Sequence, residues 1–208
     1  MSDDATSVVR QHVSAALAAV AALEPEAAAL GAWARVLHDV ATHGGRVLAA
    51  GNGGSAAHAQ HLTSELVGRF CRDRRAFDAI CLSAETSAVT AIANDYGFDE
   101  VFSRQVEAHG RPGDLLVLFS TSGRSANLLR AAGQARRRGV RTLALTGPAP
   151  NPLSTACAGA ITVDAPTMAA VQDAHQVVIH ALCAAFDHLH LDPPSTDREE
   201  AMCAPSSS

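Results

Sequence analysis

The chain has 208 residues and a mass of 21.5 kDa, which suits one domain with a sizeable core; 48% of its residues are hydrophobic and 18% are charged. A net charge of −5 with scattered arginines argues against nucleic acid as the main partner. The sequence contains no lysine, which excludes Schiff-base chemistry and the Walker A lysine. Its five cysteines are widely spaced, without a CxxC pair, and so indicate neither a disulfide framework nor a thiolate zinc site.

The sequence also bears on location. No uninterrupted apolar run approaches the roughly 20 residues that a membrane-spanning helix needs. The N-terminal residues Met-Ser-Asp-Asp-Ala-Thr lack the basic flank and apolar stretch of a signal peptide. We therefore expect a cytoplasmic protein with no membrane partner.

Apolar periodicity predicts two N-terminal helices, over about 7–23 and 26–43, which would form either a helical cap on the core or a surface for another subunit. Strands are expected near 46–50, 77–82, 114–119, 140–145 and 160–163, alternating with helices, the last of which covers about 169–190. Short, continuously apolar strands of this kind are typical of a parallel sheet covered on both faces. The sequence thus predicts an α/β fold with a five-stranded parallel sheet in a three-layer sandwich, one domain over 1–192, and a disordered tail over 193–208.

The first predicted strand leads into a glycine-rich loop and a helix. Gly51 to Gly54 form the loop, and the helix is expected to begin at Ser55, with that hydroxyl at the N-cap position. Free amides and the helix dipole make such a helix start an anion site. The pattern Gly51-x-Gly53-x-x-Ala56 also matches a dinucleotide motif, but the acidic residue expected about 20 positions later is missing, since Glu85 lies too far along. A monophosphate suits the loop better than a pyrophosphate.

A second loop, Ser120 to Ser125, follows the clearest buried strand. It offers the hydroxyls of Ser120, Thr121, Ser122 and Ser125 together with the amides of the next helix start. Serines are also common at ordinary caps and turns, but four hydroxyls directly after a buried strand favour a phosphate site. Because both loops follow parallel strands, we expect them at the same edge of the sheet.

Titratable side chains follow the glycine loop. His61 and Glu65 are four residues apart, so they share a face of the predicted helix and are candidates for metal binding or acid–base work. The expected partner helix is the last one, where Gln172 and His180 roughly share a face. His58, His188 and His190 are interpreted as surface residues.

Four segments together resemble the sugar-isomerase (SIS) domain family: Ala50-Gly-Asn-Gly-Gly-Ser55, Gln60-His-Leu-Thr-Ser-Glu-Leu-Val-Gly-Arg69, Ala93-Asn-Asp-Tyr-Gly97 and Ser120-Thr-Ser-Gly-Arg-Ser-Ala-Asn127. The resemblance covers the chain from the N-terminal helices to about residue 190. It implies the sheet argued above and a homo-oligomer, usually a tetramer, with sites built between subunits.

The resemblance also implies roles for individual residues. Substrate contacts fall to Asn52, Gly53, Gly54, Ser55, Glu65, Asn94, Asp95 and Gln172, and the phosphate pocket to Ser120, Thr121, Ser122 and Ser125. One zinc ion per subunit would be held by His61, Glu65, Gln172 and His180. Glu65 and His180 would be the catalytic acid–base pair.

The branch of the family that these segments resemble interconverts D-sedoheptulose 7-phosphate and D-glycero-D-manno-heptose 7-phosphate, for nucleotide-activated heptose biosynthesis. The alternative is a non-catalytic sugar-phosphate-binding or replication-initiator-associating relative, which is not expected to need Glu65 and His180. The chain departs from the family in having Asp173 where a glutamate is usual, and no arginine just before Gln172. The missing arginine affects the expected sugar specificity.

Overall fold

The computed structural model describes residues 4–191, so the tail predicted at 193–208 lies outside the described residues. Within them, the α-helices are Asp4–Ala21 (α1), Ala27–Thr42 (α2), Gly54–Val67 (α3), Thr86–Tyr96 (α4), Ser103–His109 (α5), Ala126–Arg137 (α6), Pro152–Ala156 (α7) and Met168–Leu191 (α8). The strands are Val47–Gly51 (β1), Ala79–Cys81 (β2), Leu115–Ser120 (β3), Arg141–Thr146 (β4) and Gly159–Thr162 (β5). Short 3-10 turns lie at Glu24–Glu26 and Phe98–Glu100.

The five strands form one parallel sheet in the order β2-β1-β3-β4-β5, which confirms the predicted fold class. In the register of the central pair, Gly51 at the end of β1 lies opposite Phe119, one residue before the end of β3. The two loops predicted to bind phosphate therefore leave the sheet at the same edge. The sequence located every strand to within a few residues, because each is a short apolar run ended by glycine or a polar residue.

The core lies on both faces of the sheet. Along β1, Val47 and Ala49 contact one apolar cluster, with side chains from α1, α2, α3 and α8, whereas Leu48 and Ala50 contact a second cluster, with side chains from α5, α6 and α7. This alternation follows from the period of two residues in a strand. It places α3 and α8 side by side in the same layer, where they carry the candidate site residues.

The N-terminal helices α1 and α2 both pack on α8. Judged by length and composition alone, the helical stretch Asp4–Thr42 could cross a membrane, since an 18-residue window in it has a mean hydropathy of 1.5, although the sequence holds no uninterrupted apolar run of that length. Glu24 and Glu26 interrupt that stretch at a 3-10 turn, and both helices contact the core, which favours a role in packing. The apolar side chains of α1 that stay exposed are Val8, Val9, Val13 and Leu17.

Candidate active site

The glycine loop is shaped by close backbone approach. Gly53 adopts a φ of 55° and precedes α3, which begins at Gly54. A Cβ atom on Gly51 would lie 2.3 Å from the backbone oxygen of Ser55, so only glycine permits this turn. The prediction that Ser55 is the N-cap residue is wrong: Gly53 holds that position and Ser55, inside the first turn, is buried. Because α3 starts one residue early, Ser55 lies inside the helix, where it lines the cavity described next.

The hydroxyl loop after β3 surrounds a small cavity. This cavity, of about 90 Å³, is lined by Asn52, Ser55, Phe119, Ser120, Thr121, Ser122, Ser125 and Gln172. Hydroxyl and amide groups dominate the lining, and none of these eight side chains carries a charge. The cavity therefore offers neutral donors at the starts of α3 and α6, which suits an anion. We call it the hydroxyl cavity.

Hydrogen bonds stabilise the hydroxyl loop internally and also join it to the glycine loop. The Ser120 hydroxyl accepts from the Gly123 amide at 3.0 Å, and the Ser122 hydroxyl accepts from the Arg124 amide at 3.2 Å. The side chains of Asn52 and Asn127 exchange two hydrogen bonds, of 3.0 and 2.9 Å, between the glycine loop and α6. Asn127, which was part of the quoted motif but received no role, is thus the residue that fixes the spacing of the two loops.

The candidate catalytic side chains lie at the contact of α3 with α8. The two Nε2 atoms of His61 and His180 are 3.1 Å apart, and His61 Nε2 is 3.2 Å from Glu65 Oε1. The Glu65 side chain is 18% exposed and that of His61 is 37% exposed, so the group is reachable from solvent. Two helices that are more than 100 residues apart in sequence therefore bring an imidazole and a carboxylate to a shared third side chain. We call these three residues the imidazole–carboxylate group.

Gln172 lies farther along the contact between α3 and α8, which we call the seam. A Cβ atom on Gly54 would be 2.7 Å from Gln172 Nε2, so this amide covers the start of α3 and lines the hydroxyl cavity. The amide in contact with His180 is instead that of Gln176, at 3.0 Å. Eight residues of helix separate Gln172 from His180, a rise of about 12 Å. The structure thus places Gln172 in the lining of the hydroxyl cavity, and its part as a zinc ligand stays a prediction.

A second histidine pair, His58 and His175, joins α3 to α8 closer to the sheet. The rings of His58, His175 and Phe119 all contact one another, with centroid distances of 6.1 to 6.4 Å. Burial lowers the pKa of His58, and it lowers the pKa of the fully buried His175 to about 4. The assignment of His58 to the surface is wrong, because the side chain of residue 58 faces Phe119 on the sheet. His188 is exposed as expected, whereas His190 is half-buried against Phe77 and Phe186.

Comparison with known proteins identifies the family. The SIS domain family model matches residues 11–147. The phosphoheptose isomerase of Streptomyces coelicolor is 63% identical over 155 residues, which cover 74% of this chain and 67% of that protein. Solved phosphoheptose isomerases from Francisella tularensis and Neisseria gonorrhoeae have TM-scores of 0.80 and 0.77 at 33% and 38% identity; the matches cover 89% and 88% of this chain, and 97% and 96% of theirs. The chain belongs to the phosphoheptose isomerases of the SIS domain family.

As a phosphoheptose isomerase family member the chain is an enzyme, and the resemblance inferred from its motifs is confirmed. Two residues of the quoted motifs, Asn94 and Asp95, lie apart from the hydroxyl cavity. They lie exposed in the last turn of α4, where Asn94 Nδ2 donates to Asp95 Oδ1 at 2.8 Å. Neither lines the hydroxyl cavity within residues 4–191. Their contact with substrate stays a prediction.

The imidazole–carboxylate group has donor types that zinc binds in proteins. Two imidazole nitrogens and one carboxylate are a common zinc set, and ligand atoms about 2.0–2.1 Å from a tetrahedral zinc lie roughly 3.3 Å from one another, close to the two separations seen here. Over residues 4–191, however, no group of three or more His, Cys, Asp or Glu side chains is already arranged around one metal position. The donor types fit zinc, but these three side chains do not already surround one metal position.

Proposed function

We propose that the chain interconverts D-sedoheptulose 7-phosphate and D-glycero-D-manno-heptose 7-phosphate by proton transfer through an enediol. The observation that carries this proposal is the convergence of Glu65 and His180 on His61, on the same two helices that line the hydroxyl cavity. Seven residues of α3 separate Gly54 from His61, a rise of about 10 Å. That length allows one extended sugar phosphate to reach from the cavity to the imidazole–carboxylate group.

The chemistry assigns one task to each part of the site. Moving the carbonyl from C2 to C1 requires removing a proton from C1 and returning one to C2. Glu65 takes the C1 proton and delivers it to C2, since one carboxylate can face both neighbouring carbons. His180 gives a proton to O2 as the enediol forms and accepts one from O1 as the aldehyde forms, a task that suits an imidazole. The hydroxyl cavity holds the phosphate with neutral donors and fixes the sugar's orientation.

Zinc is the second part of the proposal. His61, Glu65 and His180 would hold the ion, and a zinc ion there supplies a Lewis acid for the sugar oxygens. A carboxylate bound to zinc is a weaker base, so zinc binding and proton abstraction compete for Glu65. Metal content and metal titration of the purified protein test this part separately from turnover.

We further propose that the protein is a cytoplasmic homotetramer that supplies nucleotide-activated heptose biosynthesis. The apolar side chains of α1 that are exposed within residues 4–191, Val8, Val9, Val13 and Leu17, support an oligomer because a second subunit would cover them. Light scattering coupled to gel filtration tests the tetramer, with an expected mass of about four times the 21.5 kDa chain. A monomer in that measurement would contradict it.

The deciding experiment is to incubate the purified protein with D-sedoheptulose 7-phosphate and to detect the aldose, with and without a chelator. Turnover that a chelator abolishes and added zinc restores supports both parts of the proposal. Turnover that a chelator leaves unchanged supports the isomerase without zinc. Tight binding of the sugar phosphate without aldose formation would instead identify a non-catalytic binding protein.

A further inference from the structure

A buried arginine joins the two helices that carry the imidazole–carboxylate group. The Arg74 side chain is 1% exposed, although it follows α3 in an irregular segment. Its Nε donates to Asp187 Oδ1 on α8 at 2.8 Å. Its guanidinium carbon lies 5.1 Å from the ring centroid of Phe77 and 5.4 Å from that of Phe186, so two aromatic faces cover it.

The other nitrogens of Arg74 bind the last turn of α3. Nη2 donates to the backbone oxygen of Glu65 at 2.7 Å, and Nη1 donates to that of Leu66 at 3.1 Å. Because α3 ends at Val67, both oxygens belong to the final four carbonyls, which have no partner within the helix. A cation at a helix C-terminus is favourable, and burial under the two rings strengthens the interaction over that of an exposed cap.

One side chain thus touches the backbone of the proposed base and the helix of the proposed acid. Asp187 follows His180 by seven residues, or about two turns of α8. We propose that Arg74 is a positioning residue: its hydrogen bonds to α3 and its ion pair with Asp187 fix the backbone of Glu65 relative to His180. This inference rests on the proposed isomerase function, in which Glu65 and His180 act on one sugar.

A variant that removes both charges of the ion pair can separate a positioning role of Arg74 from a role in stability alone. A buried ion pair contributes little net stability compared with apolar residues of similar volume, whereas removing one partner leaves a buried charge and is strongly destabilising. The double variant Arg74→Met/Asp187→Leu removes both charges and keeps apolar contact with Phe77 and Phe186. It should therefore fold, while the backbone oxygen of Glu65 loses its Arg74 donor and that of Leu66 keeps only the Phe77 amide.

The double variant is compared with wild type, with Arg74→Lys and with a control, Arg46→Met. Arg46 also pairs with an aspartate, Asp78, at 2.7 Å, but at the start of β1, at the opposite edge of the sheet from the loops. Each protein is assayed for its melting temperature, for amide hydrogen exchange over residues 61–67, and for kcat and KM. The exchange measurement does not depend on activity.

We expect the double variant to exchange the amides of 61–67 roughly tenfold faster than wild type, because the end of α3 is no longer fixed. Its kcat should fall by about 10- to 100-fold through misplacement of Glu65, while KM stays within about threefold because the hydroxyl cavity is untouched. Arg74→Lys, which keeps the charge but not the forked donors, should lie in between, and Arg46→Met should match wild type.

Unchanged exchange over 61–67 together with unchanged kcat in the double variant would overturn the inference. Equal losses in Arg46→Met would also overturn it, since the effect would then be general destabilisation. If the double variant does not fold, Arg74→Lys decides by the same two readouts. Failure of the proposed function can be told apart from failure of this inference. Wild type would then lack turnover, while hydrogen exchange would still show whether Arg74 fixes the end of α3.

Discussion

The two halves of the site are held in different ways. Most of the lining of the hydroxyl cavity comes from one loop that is held by bonds between near neighbours, Ser120 with Gly123 and Ser122 with Arg124, and side chains of the glycine loop, α3 and α8 complete it. The imidazole–carboxylate group depends on side chains from α3 and α8, which meet only in the folded chain. The first half should therefore tolerate changes in packing between helices better than the second. Substitutions in the cavity should act mainly on KM, and those in the group mainly on kcat.

The largest effect is expected from Glu65→Gln. The amide keeps the shape of the side chain but cannot take a proton, so kcat should fall by about 10³-fold. Binding of the sugar phosphate should persist, because the hydroxyl cavity is unchanged. Steady-state kinetics and calorimetric titration with the sugar phosphate measure the two effects. Wild-type kcat in this variant would remove Glu65 from the mechanism.

Acid should lower the free energy of unfolding through protonation of His175. Its folded-state pKa of about 4 lies below the ordinary value of 6.5, so the unfolded chain binds more protons between these values. Stability should thus fall as the pH drops from about 6.5 to about 4, by up to about 3 kcal/mol, and this contribution should be constant outside that window. Urea unfolding at several pH values measures it.

His175→Gln is the matched test of that pH dependence. The variant cannot take up the proton, so its stability should decline less than that of wild type over the same pH window. A wild-type curve parallel to that of the variant between pH 6.5 and 4 would show that His175 is not the group responsible.

A backbone change should disturb the cavity without touching its hydroxyls. Gly123 has a φ of 61°, and a Cβ atom there would lie 2.0 Å from Asn151 Oδ1. Gly123→Ala should therefore destabilise the fold by about 1–3 kcal/mol and raise KM, since the loop must move. Thermal unfolding and kinetics measure both. Wild-type stability in this variant would contradict the tight packing of the loop against Asn151.

The smallest effect is expected from Ser122→Ala. Losing one hydroxyl donor to a phosphate should raise KM by about tenfold or more, since hydrogen bonds to charged groups contribute about 1.5–3 kcal/mol. The value of kcat should change little. Ser14→Ala, at an exposed position on α1, is the control. A fall in kcat without a rise in KM would contradict the assignment of binding to the cavity and of proton transfer to the imidazole–carboxylate group.

The sequence predicted those features whose signals are local. Each strand is a short apolar run, and the hydroxyl loop is marked by four hydroxyl residues directly after β3. The pairing of His61 with Glu65 also follows from helical spacing alone. These predictions needed only the period of each element and the rule that loops of parallel strands share an edge.

Contacts across the chain could not be predicted in the same way. Helical spacing placed Gln172 and His180 on roughly one face but did not show that Gln172 reaches the start of α3 while Gln176 contacts His180. No local pattern marks Arg74 as buried, because burial of an arginine depends on aromatic cover and on Asp187, more than 100 residues away. The same holds for His58, which is half-buried against Phe119 of β3 and His175 of α8.

Solvent deuterium tests the central claim most directly: that Glu65 moves a carbon-bound proton on a sugar phosphate held in the hydroxyl cavity. Wild type and Glu65→Gln are incubated with D-sedoheptulose 7-phosphate in D₂O, and the product is followed by NMR. We predict that wild type forms the aldose, with deuterium at C2 in the fraction of turnovers in which the proton on Glu65 exchanges with solvent before its return, and that Glu65→Gln binds the ketose but neither isomerises nor labels it. Aldose formed by Glu65→Gln at the wild-type rate, or deuterium entering C1 of the ketose at the wild-type rate in that variant, would contradict the account.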